Sequence, residues 1–76
     1  MSECSIDHSH ADVIKKVESQ KPFLPADLYE SLWSYLQEER TQDLLNDLFH
    51  LLKKYDLASE EEQDVRNRRL ALIVNN

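Results

Sequence analysis

A small antiparallel all-α bundle of three to four helices is the fold this chain predicts, and three observations predict it. Its 76 residues include no glycine. Almost no position is therefore built for positive φ, which argues against tight hairpin turns and phosphate-cradling loops. Asp27–Leu36 is answered sixteen residues later by Asp43–Leu52, with Asp and three leucines at matching places and Phe49 matching Trp33. Wound at about 100° per residue, each apolar set fills one arc roughly 160° wide. Finally, Ser9, Thr41 and Ser59 each stand before a run of helical spacing, as N-caps do. Two similar amphipathic helices score well against each other with or without duplication, so the echo predicts the same fold either way.

Residues 1–8 have little periodicity and read as a flexible tail ahead of one helical domain, 9–76. The first helix is expected over 9–20. Ser9 caps it with Asp12 in a capping-box place, Val13, Ile14 and Val17 form its apolar stripe, and Pro22 stops it. The second is expected over 25–39: Pro25 suits its first turn, Asp27 suits the positive end of its dipole, and Phe23 is placed to staple onto Leu28. The third is expected over 42–56, capped by Thr41, with Lys53 and Lys54 near its C-terminal end. The short link at 39–41 predicts that helices two and three fold face to face as a central αα-hairpin.

The fourth helix, 60–74, opens on Ser59 and Glu60–Glu62, a capping box. Glu62–Arg66 and Asp64–Arg68 are i,i+4 pairs in the favourable order. Its apolar face is less tidy. Val65, Leu72 and Ile73 line up with Arg69 among them, while Leu70 and Val74 point elsewhere. Residues 70–74 read as helix in preference to an extended arm.

Fifteen acidic and nine basic residues give a net charge of −6, spread along the chain. Such a coat repels nucleic acid and anionic membranes. No stretch approaches the roughly 20 apolar residues that span a bilayer. A basic segment followed by an apolar one is not found at the N-terminus, so secretion is not expected. Cys4 is the only cysteine, which excludes an internal disulfide and fits a reducing, cytoplasmic setting.

Chemistry has few places to reside. Cys4, Asp7, His8 and His10 have metal-ligand character suited to zinc, but structural zinc sites recruit ligands from well-separated pieces of chain. The preferred reading is ligand-type residues in a tail, with no cofactor. A nucleophile needs an adjacent base and an orienting third group. The sole thiol has neither in sequence, so an enzyme is not expected.

Nucleic-acid binding through Arg66, Arg68 and Arg69 is an alternative reading. Those arginines have acidic neighbours a turn earlier, however, and helix three offers the nearly neutral set Asn46, Asp47, His50, Lys53 and Lys54 outward. The aromatics carry the remaining question: either Trp33 packs in the core with Tyr29 and Tyr35 partly buried, or Tyr29, Trp33, Phe49 and the Leu70–Val74 end, Leu70 and Ile73 among it, form an exposed apolar patch. The expected function is a non-enzymatic protein–protein interaction module, a small cytoplasmic regulator or adaptor. A homodimer with Trp33 or Phe49 near its seam is the companion expectation. A metal-binding protein built on Cys4, His8 and His10 is the further alternative.

Overall fold

A computed structural model describes residues 8–75. Four α-helices follow in order, α1 (His10–Gln20), α2 (Ala26–Tyr35), α3 (Gln42–Leu52) and α4 (Glu60–Val74), with 3₁₀ turns at Lys21–Phe23 and Tyr55–Leu57. Of the expected tail, residues 1–7 lie outside the described residues. Its last residue, His8, is held against α3: its N–H donates to Asn46 Oδ1 at 2.9 Å and its carbonyl accepts from Gln42 Nε2 at 2.6 Å.

The helix starts follow local chemistry. Ser9 Oγ accepts from the Asp12 N–H at 3.1 Å, Thr41 Oγ1 from Leu44 at 3.3 Å, and Ser59 Oγ from Glu62 at 3.1 Å. Each bond satisfies one of the donors left free at a helix start. Before α2 the staple is not Phe23, which is half exposed, but Leu24, which is buried. The 3₁₀ turn swings Phe23 outward and leaves its successor to fill the core.

α2 and α3 each stop four residues short of expectation. The terminal carbonyls of α2 are taken by side chains: Arg40 Nε donates to Tyr35 O at 2.9 Å, and His10 Nε2 lies 2.5 Å from Leu36 O. The Arg40 guanidinium also stacks 3.7 Å from the Tyr35 ring centroid. α3 ends at Leu52 because Lys53 turns extended, at ψ 125°, and Lys54 follows in the left-handed conformation, at φ 57°, before the 3₁₀ turn at Tyr55. In a chain without glycine, one lysine takes a conformation that glycine takes most easily.

Leu28, Leu32 and Leu36 from α2 and Leu45, Leu48 and Leu52 from α3 are all buried, and they meet Val13, Val17, Leu24, Tyr55 and Leu70 in one core. Fully burying a leucine contributes about 1.5–3 kcal/mol, so these two stripes dominate the stabilisation. The bundle is as expected, but the pairing inside it is not a central α2–α3 hairpin. The packed pairs are α1 with α3, α2 with α4, α3 with α4 and α1 with α2. Because α2 ends at Tyr35, the link to α3 is six residues, 36–41, and is long enough to carry α3 across to α1.

Gln20 is the buried polar side chain of the core, and its Oε1 finds no partner among the described residues. No helix among the described residues is long and apolar enough to cross a membrane.

Candidate docking surface on α3 and α4

α4 turns an unexpected face inward. Leu70 is fully buried, and Gln63, Arg66, Asn67 and Val74 share its side of the helix at half-buried positions. The spacing 63, 66, 67, 70, 74 is one helical stripe. Three of these five residues are polar, and each is bonded. Tyr55 is only 1% exposed, and its hydroxyl donates to Asn67 Oδ1 at 2.6 Å. Gln63 Nε2 donates to Tyr55 O at 2.9 Å.

Arg66 Nη1 donates to Lys53 O at 2.8 Å and to Leu51 O at 3.3 Å, while its Nε donates to Glu62 Oε2 at 3.0 Å. A cation here meets the carbonyls that the last turn of α3 leaves unpaired, where the helix dipole also favours it. Burial pushes the Tyr55 phenol above its ordinary value of 10.0; the hydrogen bond with Asn67 and the Arg66 cation oppose the shift, and the Asp64 charge adds to it.

With that stripe facing in, Val65 and Leu72 face out. They are 42% and 65% exposed, seven residues apart on the same side of α4. The sequence pattern expected Val65, Leu72 and Ile73 on one apolar face with Leu70 and Val74 pointing elsewhere; the structure instead buries Leu70, leaves Ile73 and Val74 half buried and exposes Val65 and Leu72. Hydrogen bonds to Tyr55 and to the end of α3 hold polar side chains inside, so hydropathy alone does not find the inward face.

Beside Leu72 runs a groove of about 420 Å³ between α3 and α4. Asp47, His50 and Leu51 line it from α3, and Arg69, Leu72 and Ile73 from α4. Leu51 and Ile73 are half buried at its floor, and Asp47, His50 and Arg69 are exposed at its rim. A larger open depression of about 690 Å³ runs along α2 and is polar, edged by Asp27, Glu30 and Glu38 with Arg40. Size alone would favour the second depression; apolar side chains beside unpaired charge make the first the better docking surface.

The expected interface residues are dispersed. Leu70 is core, not surface. Phe49 is half buried beneath His8, whose ring stacks on it at 3.6 Å and 9°, with the Lys16 ammonium 5.2 Å from its centroid. Tyr29 donates its hydroxyl to Glu18 Oε2 at 2.8 Å, and Lys21 lies 5.0 Å over its ring. That bond raises the Tyr29 phenol above its ordinary value. Trp33 is exposed at 40% on α2. Ile73 alone of the five lines the α3/α4 groove. Leu72 belongs to the expected Leu70–Val74 end, whereas Leu51 and Asp47 were missed as groove residues.

The metal and nucleic-acid residues are also rearranged. His8 stacks on Phe49 and sits edge-on to His50 at 5.8 Å, whereas His10 turns Nε2 to the Leu36 carbonyl, so that nitrogen carries the proton. Cys4 lies outside the described residues. Among the described residues no three His, Cys, Asp or Glu side chains gather as metal ligands would. Of the three arginines, Arg66 is committed to α3. The expected Asp64–Arg68 pair is not among the ion pairs of the described residues, which are Glu62–Arg66 and Glu38–Arg40. Arg68 and Arg69 are exposed. No protein-family model, curated protein or solved structure matches this chain.

Proposed function

We propose that this chain is a non-enzymatic protein–protein interaction module, a small cytoplasmic regulator or adaptor that docks through the outer face of α4 and the groove beside α3. The observation that carries the reading is the outward turn of Val65 and Leu72 on α4. Its inward stripe spends three polar side chains on hydrogen bonds to Tyr55 and the end of α3, while Val65 and Leu72 stand in solvent. Leucine exposed to this degree beside half-buried Leu51 and Ile73 gains by being covered, at about 25 cal/mol for each Å² of apolar surface removed from water. Arg68 and Arg69 at the edge give such a contact a charged rim, the usual anatomy of an interface.

A nucleic-acid reading has less support. It rested on three arginines, one of which is occupied in capping α3, and the chain as a whole carries −6.

The test places a photocrosslinking amino acid at position 72 and, as a control, at the exposed polar position Lys15. Irradiation in the native host is expected to give discrete adducts from position 72 and none from 15, and Leu72→Glu should abolish association without changing helical circular dichroism. Indistinguishable products from the two positions would overturn the docking reading.

A further inference from the structure

We infer that the occupant of the α3/α4 groove is a second copy of this chain, in a two-fold dimer held by crossed Asp47–Arg69 ion pairs. This rests on the docking reading of the same surface and names its partner. The two walls of the groove carry opposite charge: Asp47 stands exposed on the α3 wall and Arg69 exposed on the α4 wall, with Leu51, Leu72 and Ile73 between them. Neither charge forms an ion pair or a side-chain hydrogen bond with another described residue.

A two-fold axis lying in the interface parallel to the groove exchanges its walls. α3 of one copy then faces α4 of the other. Each Asp47 meets the opposite copy's Arg69, so the symmetry makes the pair twice, and each exposed Leu72 is carried over the other copy's groove. An axis across the groove would instead set α4 on α4 and bring Arg68 and Arg69 of both copies together, which like-charge repulsion disfavours. The charge pattern therefore selects one of the two symmetric arrangements. Each copy carries −6 overall, but at physiological salt the screening length is about 8 Å. Contacts at the seam therefore outweigh charges on the far sides.

Sedimentation equilibrium of the full chain at physiological salt, from micromolar to near-millimolar concentration, tests this. The wild type is expected to shift from the chain mass of 9.0 kDa to twice that value as concentration rises. Asp47→Arg and Arg69→Asp should each weaken association by about tenfold or more, which is about 1.4 kcal/mol. The double reversal should restore association to within about threefold of wild type, because it exchanges the two charges and leaves the crossed pairing intact. Circular dichroism checks that each variant is folded; should a reversal unfold the chain, Asp47→Asn and Arg69→Gln each remove one charge of the pair at near-constant size and should each weaken association, the double neutral variant no further than either single.

Three outcomes would each overturn the proposal: a wild type that stays at chain mass throughout refutes the dimer, and single variants that associate like wild type, or a double variant no better than the singles, refute the crossed Asp47–Arg69 pairing. If the wild type stays monomeric while position 72 still crosslinks to other proteins, the docking reading stands and only the second copy is refuted as the occupant.

Discussion

A phenol buried to 1% exposure must find a partner for its hydroxyl, and Tyr55 finds Asn67 at 2.6 Å. Burial raises its ionisation above the ordinary value of 10.0. The folded state therefore holds this proton more tightly than the unfolded state does. The resulting stabilisation is complete below 10.0 and is lost as pH rises through the folded-state value. Urea melts taken from neutrality into strong alkali should show stability falling once pH passes 10.0, and Tyr55→Phe should make the fall shallower. At neutral pH the same variant should cost about 1–3 kcal/mol, because it leaves a part-buried Asn67 without its donor. The neighbouring residue works against the fold. Lys54 sits at φ 57°, where a residue with a Cβ pays about 1–2 kcal/mol. Lys54→Gly is expected to raise stability by up to about 1 kcal/mol, read as a higher urea midpoint with an unchanged slope, since the unfolded chain gains freedom that offsets part of the relief.

Among the helices, two leucines with the same chemistry should respond in opposite ways. Leu48 of α3 is fully buried and Leu72 of α4 is 65% exposed. Leu48→Ala should lower stability by about 2–5 kcal/mol, whereas Leu72→Ala should stay within about 0.5 kcal/mol in the isolated monomer; denaturant melts at low concentration compare them. α2 and α3 were legible in sequence because their buried faces are leucine stripes, and hydropathy period reports such stripes directly. The three hydroxyl caps were legible because a cap is local. α4 was legible as a helix but not as a face. Gln63, Arg66 and Asn67 point inward to reach groups on Tyr55 and α3, and no periodicity announces a hydrogen bond to a carbonyl elsewhere in the chain. Part of the expected aromatic patch is covered for a related reason, although Trp33 stays exposed. Phe49 and Tyr29 do lie at the edges of their arcs, but His8, Lys16, Glu18 and Lys21 cover them from other elements.

At the scale of the whole molecule, the pairing of helices has a consequence for how the chain can be assembled. α1 packs on α3 and α2 on α4, so helices from the first half of the sequence find partners in the second half. Cutting the backbone in the 36–41 link, between Glu38 and Glu39, separates α1 and α2 from α3 and α4. Each fragment would keep a pair of helices while losing two of the faces that cover them, and so small a piece buries too little surface to hold its helices alone. Fragment complementation is therefore expected: peptides 1–38 and 39–76 largely unstructured apart, then recovering helical circular dichroism at a one-to-one ratio when mixed. Full helicity in either peptide alone would show that its own two helices suffice. Joining the halves in one chain supplies proximity in place of concentration, and the six-residue link that spoils the simple hairpin is the point where that tether could be released.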